Sequence, residues 1–229
     1  MINTYFINLD RSKDRRAHME KTFKNITRIP AFDGDILDNY ENIKLPLKCR
    51  QNKYQLACSL SHIKAIIEAY QNNDEGAIIS EDDIDNQFKN KWCKNINTII
   101  KDAPDNTECI SLFCSSVNRL QYFITLSEDY SPWINHNWST CCYYINRSGM
   151  KKILDMFYKD GIIDLSIRLL NYVADDGVIY NNIGEVPYGY RWMESQNTLG
   201  YGAFKNGCTI GQMRFLARIY KHNKITKYF

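Results

Sequence analysis

The sequence predicts one α/β domain with a mostly parallel central sheet, helices on both faces of that sheet and a smaller mixed-sheet extension. Short apolar runs rich in β-branched residues alternate with amphipathic segments, which is typical of strand–helix–strand units. Residues 77–84 (AIISEDDI) are apolar until they reach three consecutive acids. Such a run indicates a strand buried on both faces of a parallel sheet.

The first part of the chain follows this alternation. Residues 4–9 (TYFINL) predict a strand, followed by a turn and a polar helix that ends near residue 24. A second short strand is expected over residues 27–32. Residues 38–54 have little periodicity and change charge sign twice, so we expect a surface loop there. Apolar residues at helical spacing then predict a helix over residues 56–70 with one face in the core.

After the strand at residues 77–80, the alternation continues with a predicted helix over residues 88–100 and a strand over 109–114. Beyond residue 115 the pattern changes. The runs at 122–126, 132–133 and 139–145 suggest strands of a mixed sheet and a long substrate loop. A further helix is predicted from residue 148 to about 158.

The chain of 229 residues is long enough to bury a sizeable core, and we expect one domain over residues 1–197. Residues 198–229 form a basic extension, either part of that domain or a docked tail, since no acid follows Glu194. Apolar residues recur at helical spacing in this tail. It therefore predicts either a terminal helix docked on the sheet, which we prefer, or a peripheral contact with an anionic membrane.

Composition excludes several classes of protein. A formal net charge of +3 and the lack of an arginine-rich patch argue against a nucleic-acid partner. The eight cysteines contain no CxxC pair, and most lie in apolar stretches, which favours a reducing compartment. No signal peptide or long apolar span is evident, so we expect a cytoplasmic protein, with a membrane contact only through the tail.

The three acids that end the run at residues 77–84 are the strongest indication of a site. Ligands of open α/β sheets collect beyond the carboxyl ends of the strands, so Glu81, Asp82 and Asp83 are expected at a binding site. Crowded carboxylates repel one another unless a cation offsets them, and hard oxygen ligands suit Mg²⁺ or Mn²⁺. The alternative is an acidic loop that caps the next helix.

Four segments together resemble the family-25 glycosyltransferases, which include bacterial lipooligosaccharide galactosyltransferases and collagen hydroxylysine galactosyltransferases. They are the acidic strand end and residues 7–16 (INLDRSKDRR), 57–66 (ACSLSHIKAI) and 139–154 (STCCYYINRSGMKKIL). Two positions depart from the family pattern, because Ala57 stands where Gly is usual and Met150 where a small residue is usual. Residues 198–229 match no family segment.

The resemblance implies a GT-A type, Rossmann-like fold and a UDP-sugar donor, with galactose or glucose as the hexose. It also implies a divalent cation, Mn²⁺ or Mg²⁺, and inversion at the anomeric carbon. The acceptor would be a hydroxyl of a glycan, a lipid-linked saccharide or hydroxylysine in a collagen-like chain.

The resemblance also gives roles to the acids. Glu81 and Asp83 would hold the cation, with Asp83 favoured as a direct ligand. Asp82 would face the ribose or the sugar, although it can equally serve as a helix N-cap.

Polar residues after the first strand lie at the same end of the sheet if that strand runs parallel to the acidic one. Asn8 can then contact a uracil edge, and Arg11 is the preferred phosphate ligand, because arginine suits bidentate contact with phosphate. Arg15 and Arg16 project about 100° apart on a helix, so we expect only one of them to face the ligand.

The family match singles out Ser61 and His62 as donors to the diphosphate or the sugar. The competing interpretation of His62 is an imidazole hydrogen-bonded to the backbone.

An inverting transfer needs a base on the acceptor side, and Asp175 and Asp176 are the candidates, because adjacent carboxylates raise one another's pKa. The alternative for that acidic pair is a helix cap.

Aromatic residues and a turn complete the expected site. Trp133 and Trp192 are the exposed candidates for a sugar-stacking surface, whereas most neighbouring aromatic residues, including Tyr143, are expected in the core. Residues 32–34 can close over the donor ribose or act only as a turn.

Two other functions are compatible with the same acids. One is a metal-dependent nucleotide-sugar hydrolase, which the lack of a P-loop disfavours. The other is an inactive module that binds a sugar nucleotide or glycan, which the complete acidic triad disfavours.

Overall fold

The structure is a computed structural model that describes residues 2–47, 52–84, 95–105, 107–112, 130–132, 140–166 and 188–190. A 3₁₀ helix occupies Gly34–Asn39. The strands and α-helices are β1 (Asn3–Asn8), α1 (Lys13–Thr22), β2 (Ile26–Pro30), β3 (Ile43–Lys44), α2 (Lys53–Gln71), β4 (Gly76–Glu81), α3 (Ile96–Lys101), β5 (Cys109–Ser111), β6 (Tyr130–Pro132), β7 (Cys142–Asn146), α4 (Arg147–Phe157), β8 (Tyr158–Lys159), β9 (Ile162–Asp164) and β10 (Tyr188–Tyr190).

The central sheet has seven described strands in the order β2-β1-β4-β7-β5-β10-β6. Strand β1 lies parallel to both β2 and β4, whereas β7 runs antiparallel to β4 and β5. Strand β10 is parallel to β5 and antiparallel to β6. Five of these seven strands therefore run in one direction, and the predicted mostly parallel sheet is confirmed.

Apolar cores lie on both faces of the sheet because successive side chains of a strand point in opposite directions. Tyr5 and Ile7 belong to a core with residues of α2 and α4, whereas Phe6 belongs to a second core with Met19 of α1 and Ile99 of α3. The predicted helices on both faces are thus confirmed. The alternation also explains why β1 reads as an almost continuous apolar run.

Helix α2 is fixed at its start by a capping box. The side chain of Asn52 accepts hydrogen bonds from the backbone of Tyr54 and Gln55, while Gln55 returns a bond to the Asn52 backbone. The helix therefore begins at Lys53, three residues before the predicted start. Residues of its buried face, such as Leu60 and Ile63, are completely shielded from solvent.

Two predictions about secondary structure were wrong. The expected loop over residues 38–54 contains β3, which forms a small mixed sheet with β9 and β8. A two-residue strand is too short to produce a visible periodicity. The predicted continuous helix over residues 88–100 is interrupted at Asn95, whose backbone is extended and whose side chain accepts the Thr98 amide to cap a helix that begins at Ile96. Residues 85–94 lie outside the described residues.

No described helix combines the length and the apolar character needed to cross a membrane.

Candidate active site

A cleft of about 190 Å³ lies at the carboxyl ends of β1, β2 and β4, beside the first turns of α2. Its apolar wall includes Ile7, Phe32 and Ala57. Its charged lining consists of Arg11, Arg15, Glu81 and Asp82. The parallel pairing of β1 with β4, in which Ile7 lies opposite Glu81, brings these arginines and acids to one edge of the sheet.

Asp82 is held by two hydrogen bonds and is only 6% exposed. Its Oδ2 accepts from Asn8 Nδ2 at 2.6 Å, and its Oδ1 accepts from Arg15 at 2.8 Å. Asn8 Oδ1 in turn accepts from Arg28 Nε at 2.9 Å. The Asn8 Nδ2 group also donates to the Ser12 carbonyl at 3.1 Å, so both of its hydrogens are engaged. Asn8 Oδ1 and both oxygens of Asp82 each accept one of these bonds and keep a lone pair for a further hydrogen bond.

Asp83 lies in a different environment. Its Oδ1 is shielded from solvent and has no hydrogen-bond partner among the described residues. Burial, and next the charge of Glu81, raise the pKa of the Asp83 carboxyl to about 7, although Arg15 opposes this shift. The Arg15 guanidinium is 3.7 Å from Asp83 Oδ2. Arg15 therefore offsets only part of the cost of an ionised Asp83, and Oδ1 has no partner among the described residues.

The acids fit a hard divalent cation. Ligand atoms of Glu81, Asp83 and Cys141 all lie within 4.8 Å of one another. Carboxylate oxygens are preferred by Mg²⁺ and Mn²⁺, and a cation would give the shielded Asp83 oxygen the partner that it lacks. Glu81 Oε1 also accepts a long hydrogen bond from Thr140 at 3.4 Å, which orients its carboxylate.

The three predicted arginines have different environments. Arg15 lines the cleft, whereas Arg16 forms an exposed ion pair with Glu20 at 2.8 Å and does not line the cleft. This divergence follows from their angular separation on α1. Arg11 lines the mouth of the cleft and pairs with Asp33, in the turn at residues 32–34. Phe32 and Gly34 of that turn line the cleft.

Ser61 connects α2 to the end of β2. Its hydroxyl donates to the Ala57 carbonyl at 2.6 Å and accepts from the Phe32 amide at 2.9 Å. The side chain is buried and engaged on both sides. This geometry positions the apolar wall of the cleft.

His62 is 0% exposed and lies in the middle of α2. Its Nδ1 is 3.2 Å from the hydroxyl of Tyr143, and its Nε2 is 3.7 Å from Glu81 Oε1. The alternative prediction of a hydrogen bond to the backbone was wrong, because the partner of Nδ1 is a side chain of β7. Tyr143 is buried, as expected of a core aromatic residue.

Sequence reasoning missed several residues around the acids. Thr140, Cys141 and Tyr143 arrive through the antiparallel pairing of β7 with β4, which no local pattern indicates. Cys58 precedes His62 by one helical turn, and this spacing was a visible signal. The predicted residues Asp175, Asp176, Trp133 and Trp192 and the basic tail lie outside the described residues.

The class of protein that this fold and cleft define is a glycosyltransferase, as a match to a family model shows. The chain belongs to glycosyltransferase family 25, described as LPS biosynthesis protein, whose model matches residues 1–167. The matched region includes all residues that line the cleft. The resemblance found in the sequence is thereby confirmed, as is the predicted α/β fold with a mostly parallel central sheet and helices on both faces. Such an enzyme uses an activated sugar donor and a glycan acceptor.

One similar solved structure is the crystal structure of a glycosyltransferase involved in the glycosylation of the major capsid of PBCV-1. The likeness covers 82% of this chain and 91% of that chain, with a TM-score of 0.39 and 11% sequence identity. No curated protein matches the sequence.

Proposed function

We propose that this chain is a metal-dependent, inverting glycosyltransferase. It moves a hexose, galactose or glucose, from a UDP-sugar to a hydroxyl of a glycan, a lipid-linked saccharide or hydroxylysine. Membership of family 25 supports the transfer of a glycosyl group, and the family description favours a lipopolysaccharide-related acceptor. The single observation that carries the metal dependence is the buried Oδ1 of Asp83, which has no hydrogen-bond partner among the described residues and belongs to a side chain next to Glu81 of the cleft.

Glu81 and Asp83 would hold the cation, Mn²⁺ or Mg²⁺. When bound, the cation supplies a Lewis acid that neutralises the negative charge gathered by the departing diphosphate. The raised pKa of Asp83 supports this role, because burial and the neighbouring Glu81 charge disfavour a carboxylate without a cation.

Arg15 and Arg11 supply positive charge for the diphosphate. The guanidinium of Arg15 is held by Asp82, so its orientation is fixed before the donor binds. A preoriented cation stabilises developing negative charge without reorganising during the reaction. Arg11 is more exposed and is held by Asp33 at the mouth of the cleft. The apolar wall with Phe32 would cover the uridine, while the buried Asp82 organises the charged wall.

The acceptor side of the proposal depends on residues outside those that the structure describes. Asp175 and Asp176 remain the predicted bases for the acceptor hydroxyl, and Trp133 and Trp192 the predicted stacking surface. An inverting reaction places this base on the face of the sugar opposite the leaving group.

Replacing Asp83 tests the proposal. Asp83→Asn keeps the size of the side chain but removes its charge, so we expect turnover of UDP-galactose or UDP-glucose with Mn²⁺ to fall at least about 100-fold. Asp105→Asn is the matched control, because Asp105 is exposed and does not line the cleft. Unchanged turnover in the Asp83 variant would contradict the assignment of the site.

Product analysis separates transfer from the other functions. Acceptor-dependent release of UDP, with the hexose on the acceptor, is the expected result. Free hexose formed equally well without an acceptor would indicate a hydrolase. Binding of UDP-sugar that needs no metal and gives no product would indicate an inactive binding module.

A further inference from the structure

A second group of potential metal ligands shares Glu81 with the Glu81–Asp83 pair. Cys58 and His62 are one helical turn apart on the inward side of α2, and Glu81 ends the neighbouring strand β4. Cys58 Sγ, a ring nitrogen of His62 and a carboxylate oxygen of Glu81 all lie within 4.8 Å of one another. A thiol, an imidazole and a carboxylate are the three side-chain types that bind zinc in proteins.

The imidazole of His62 is oriented as in a metal ligand. Tyr143 is hydrogen-bonded to Nδ1, and Nε2 has no hydrogen-bond partner among the described residues although the side chain is 0% exposed. When Nδ1–H donates to the Tyr143 oxygen, Nε2 carries a lone pair. This lone pair lies 3.7 Å from Glu81 Oε1, which is too far for a hydrogen bond. Histidine ligands of metals are typically held in this way by a hydrogen bond from the other ring nitrogen.

We propose that Cys58, His62 and Glu81 form a binding site for a thiophilic divalent cation, with Zn²⁺ as the best fit. Tetrahedral zinc ligands lie about 3.3–3.6 Å apart, given Zn–N, Zn–O and Zn–S bonds of about 2.0–2.3 Å. The 3.7 Å separation of His62 and Glu81 is close to this value, so only a small rotation of the side chains is needed. Cys58 and Glu81 both line the cleft, which leaves the fourth position open to water or a ligand.

Ligand chemistry distinguishes this site from the pair proposed for Mn²⁺ or Mg²⁺. A thiolate and an imidazole favour zinc over these hard cations, which prefer oxygen. The two sites share Glu81, so a zinc ion would withdraw a carboxylate from the hard cation. The buried thiol of Cys142 competes poorly, since complete burial, and next the charge of Glu81, raise its pKa to about 12.

Cobalt is the probe for this site, because Co²⁺ adopts the zinc geometry and gives visible and ultraviolet absorption when bound to a thiolate. The metal-free, full-length chain is titrated with Co²⁺ and then with Zn²⁺ under reducing conditions. We expect one equivalent to produce thiolate charge-transfer absorption and Zn²⁺ to abolish it. This readout needs no turnover, so it is independent of the proposed function.

Cys58→Ser is the decisive variant, because it retains the shape and polarity of the side chain but removes the thiolate. Loss of an outer-shell residue weakens metal binding about 10–100-fold, so loss of this direct ligand should weaken Zn²⁺ binding at least about 100-fold. Cys141→Ser is the matched control, since Cys141 lies on the Asp83 side of Glu81 and should leave the cobalt absorption unchanged.

Three results would overturn the proposal: no thiolate absorption in the unmodified chain, full absorption in Cys58→Ser, or loss of absorption in Cys141→Ser. Circular dichroism verifies that each variant is folded. If Cys58→Ser does not fold, Glu81→Gln provides the second test, because it removes a ligand charge at a partly exposed position. Zinc affinity unchanged in Glu81→Gln would also refute the site.

Discussion

The two sides of the acidic segment differ in how completely their polar groups are paired. On one side, both oxygens of Asp82 accept hydrogen bonds, and its partner Asn8 is held in turn by Arg28. On the other side, Asp83 Oδ1 and His62 Nε2 are shielded without a hydrogen-bond partner among the described residues. On the first side, the protein itself supplies a hydrogen-bond partner for each of these polar groups. On the second side, Asp83 and His62 each offer a ligand atom within 4.8 Å of one from Glu81.

This difference supports the proposed division between residues that hold the site together and residues that bind a cation. A buried polar group without a partner costs about 1–3 kcal/mol, so a fold rarely retains such a group without a compensating use. The side with Asp82 stabilises the edge of the sheet, and the side with Asp83 is held at an energetic cost. Removing the carboxylate should therefore lower the free energy of unfolding at Asp82, whereas it should leave that free energy unchanged or raise it at Asp83.

The largest expected effect on stability comes from Asp82→Ala. This change leaves Arg15 and the Asn8 amide without their partner, and breaking one member of a largely buried ion pair costs about 3 kcal/mol after allowance for the partly exposed Arg15. Asp83→Ala is the matched variant, and it removes a repelled carboxylate. We expect it to leave the free energy of unfolding unchanged or higher, as measured with urea in metal-free buffer. Equal losses in both variants would contradict the comparison.

A smaller effect is expected when pH is varied in metal-free protein. Burial and the Glu81 charge raise the pKa of Asp83 from 3.8 to about 7 in the folded state. Between about pH 4 and 7 the folded protein therefore binds more protons at this group than the unfolded chain does. Its contribution to stability is present at low pH and is lost as pH rises, by about 2 kcal/mol between pH 5 and 7.

Asp83→Asn isolates this contribution, because it cannot titrate. We expect the free energy of unfolding of the variant, relative to that of the unmodified protein, to increase as the pH is raised from 5 to 7. Urea titrations with a chelator present measure this difference. A constant difference across this range would mean that the Asp83 carboxyl titrates normally in the folded state.

The strands and helices that position the cleft could be predicted because their patterns are local. The apolar run before Glu81 specified β4, and the helical spacing of residues such as Leu60 and Ile63 specified α2. The acidic end of β4 could likewise be placed at the same edge of the sheet as the residues after β1, since carboxyl ends of parallel strands meet at one edge. Strand β3 could not be found, because two residues of strand carry no periodicity.

The pairing partners of the site could not be predicted from local patterns. Asn8 was expected to contact a ligand. In the structure its side-chain amide forms hydrogen bonds with Arg28 and Asp82, which lie 20 and 74 positions away along the chain. Tyr143 reaches His62 only because β7 inserts antiparallel beside β4, and the register of that pairing decides which side chain meets the imidazole. The sequence thus singled out Ser61 and His62 of α2 but not the hydrogen bond with Tyr143 that orients the imidazole.

The smallest expected effect distinguishes the two adjacent arginines of α1. Arg16→Ala removes an exposed (i, i+4) ion pair with Glu20, which contributes about 0.3–0.5 kcal/mol, and the residue does not line the cleft. Arg15→Ala removes the partner of the buried Asp82 from the cleft itself. We therefore expect Arg16→Ala to shift the free energy of unfolding by less than about 0.5 kcal/mol and to leave the affinity for UDP, measured by calorimetry, within experimental error. Arg15→Ala should lower both the free energy of unfolding and the affinity for UDP. A larger loss of UDP affinity in the Arg16 variant would mean that the other face of α1 binds the donor.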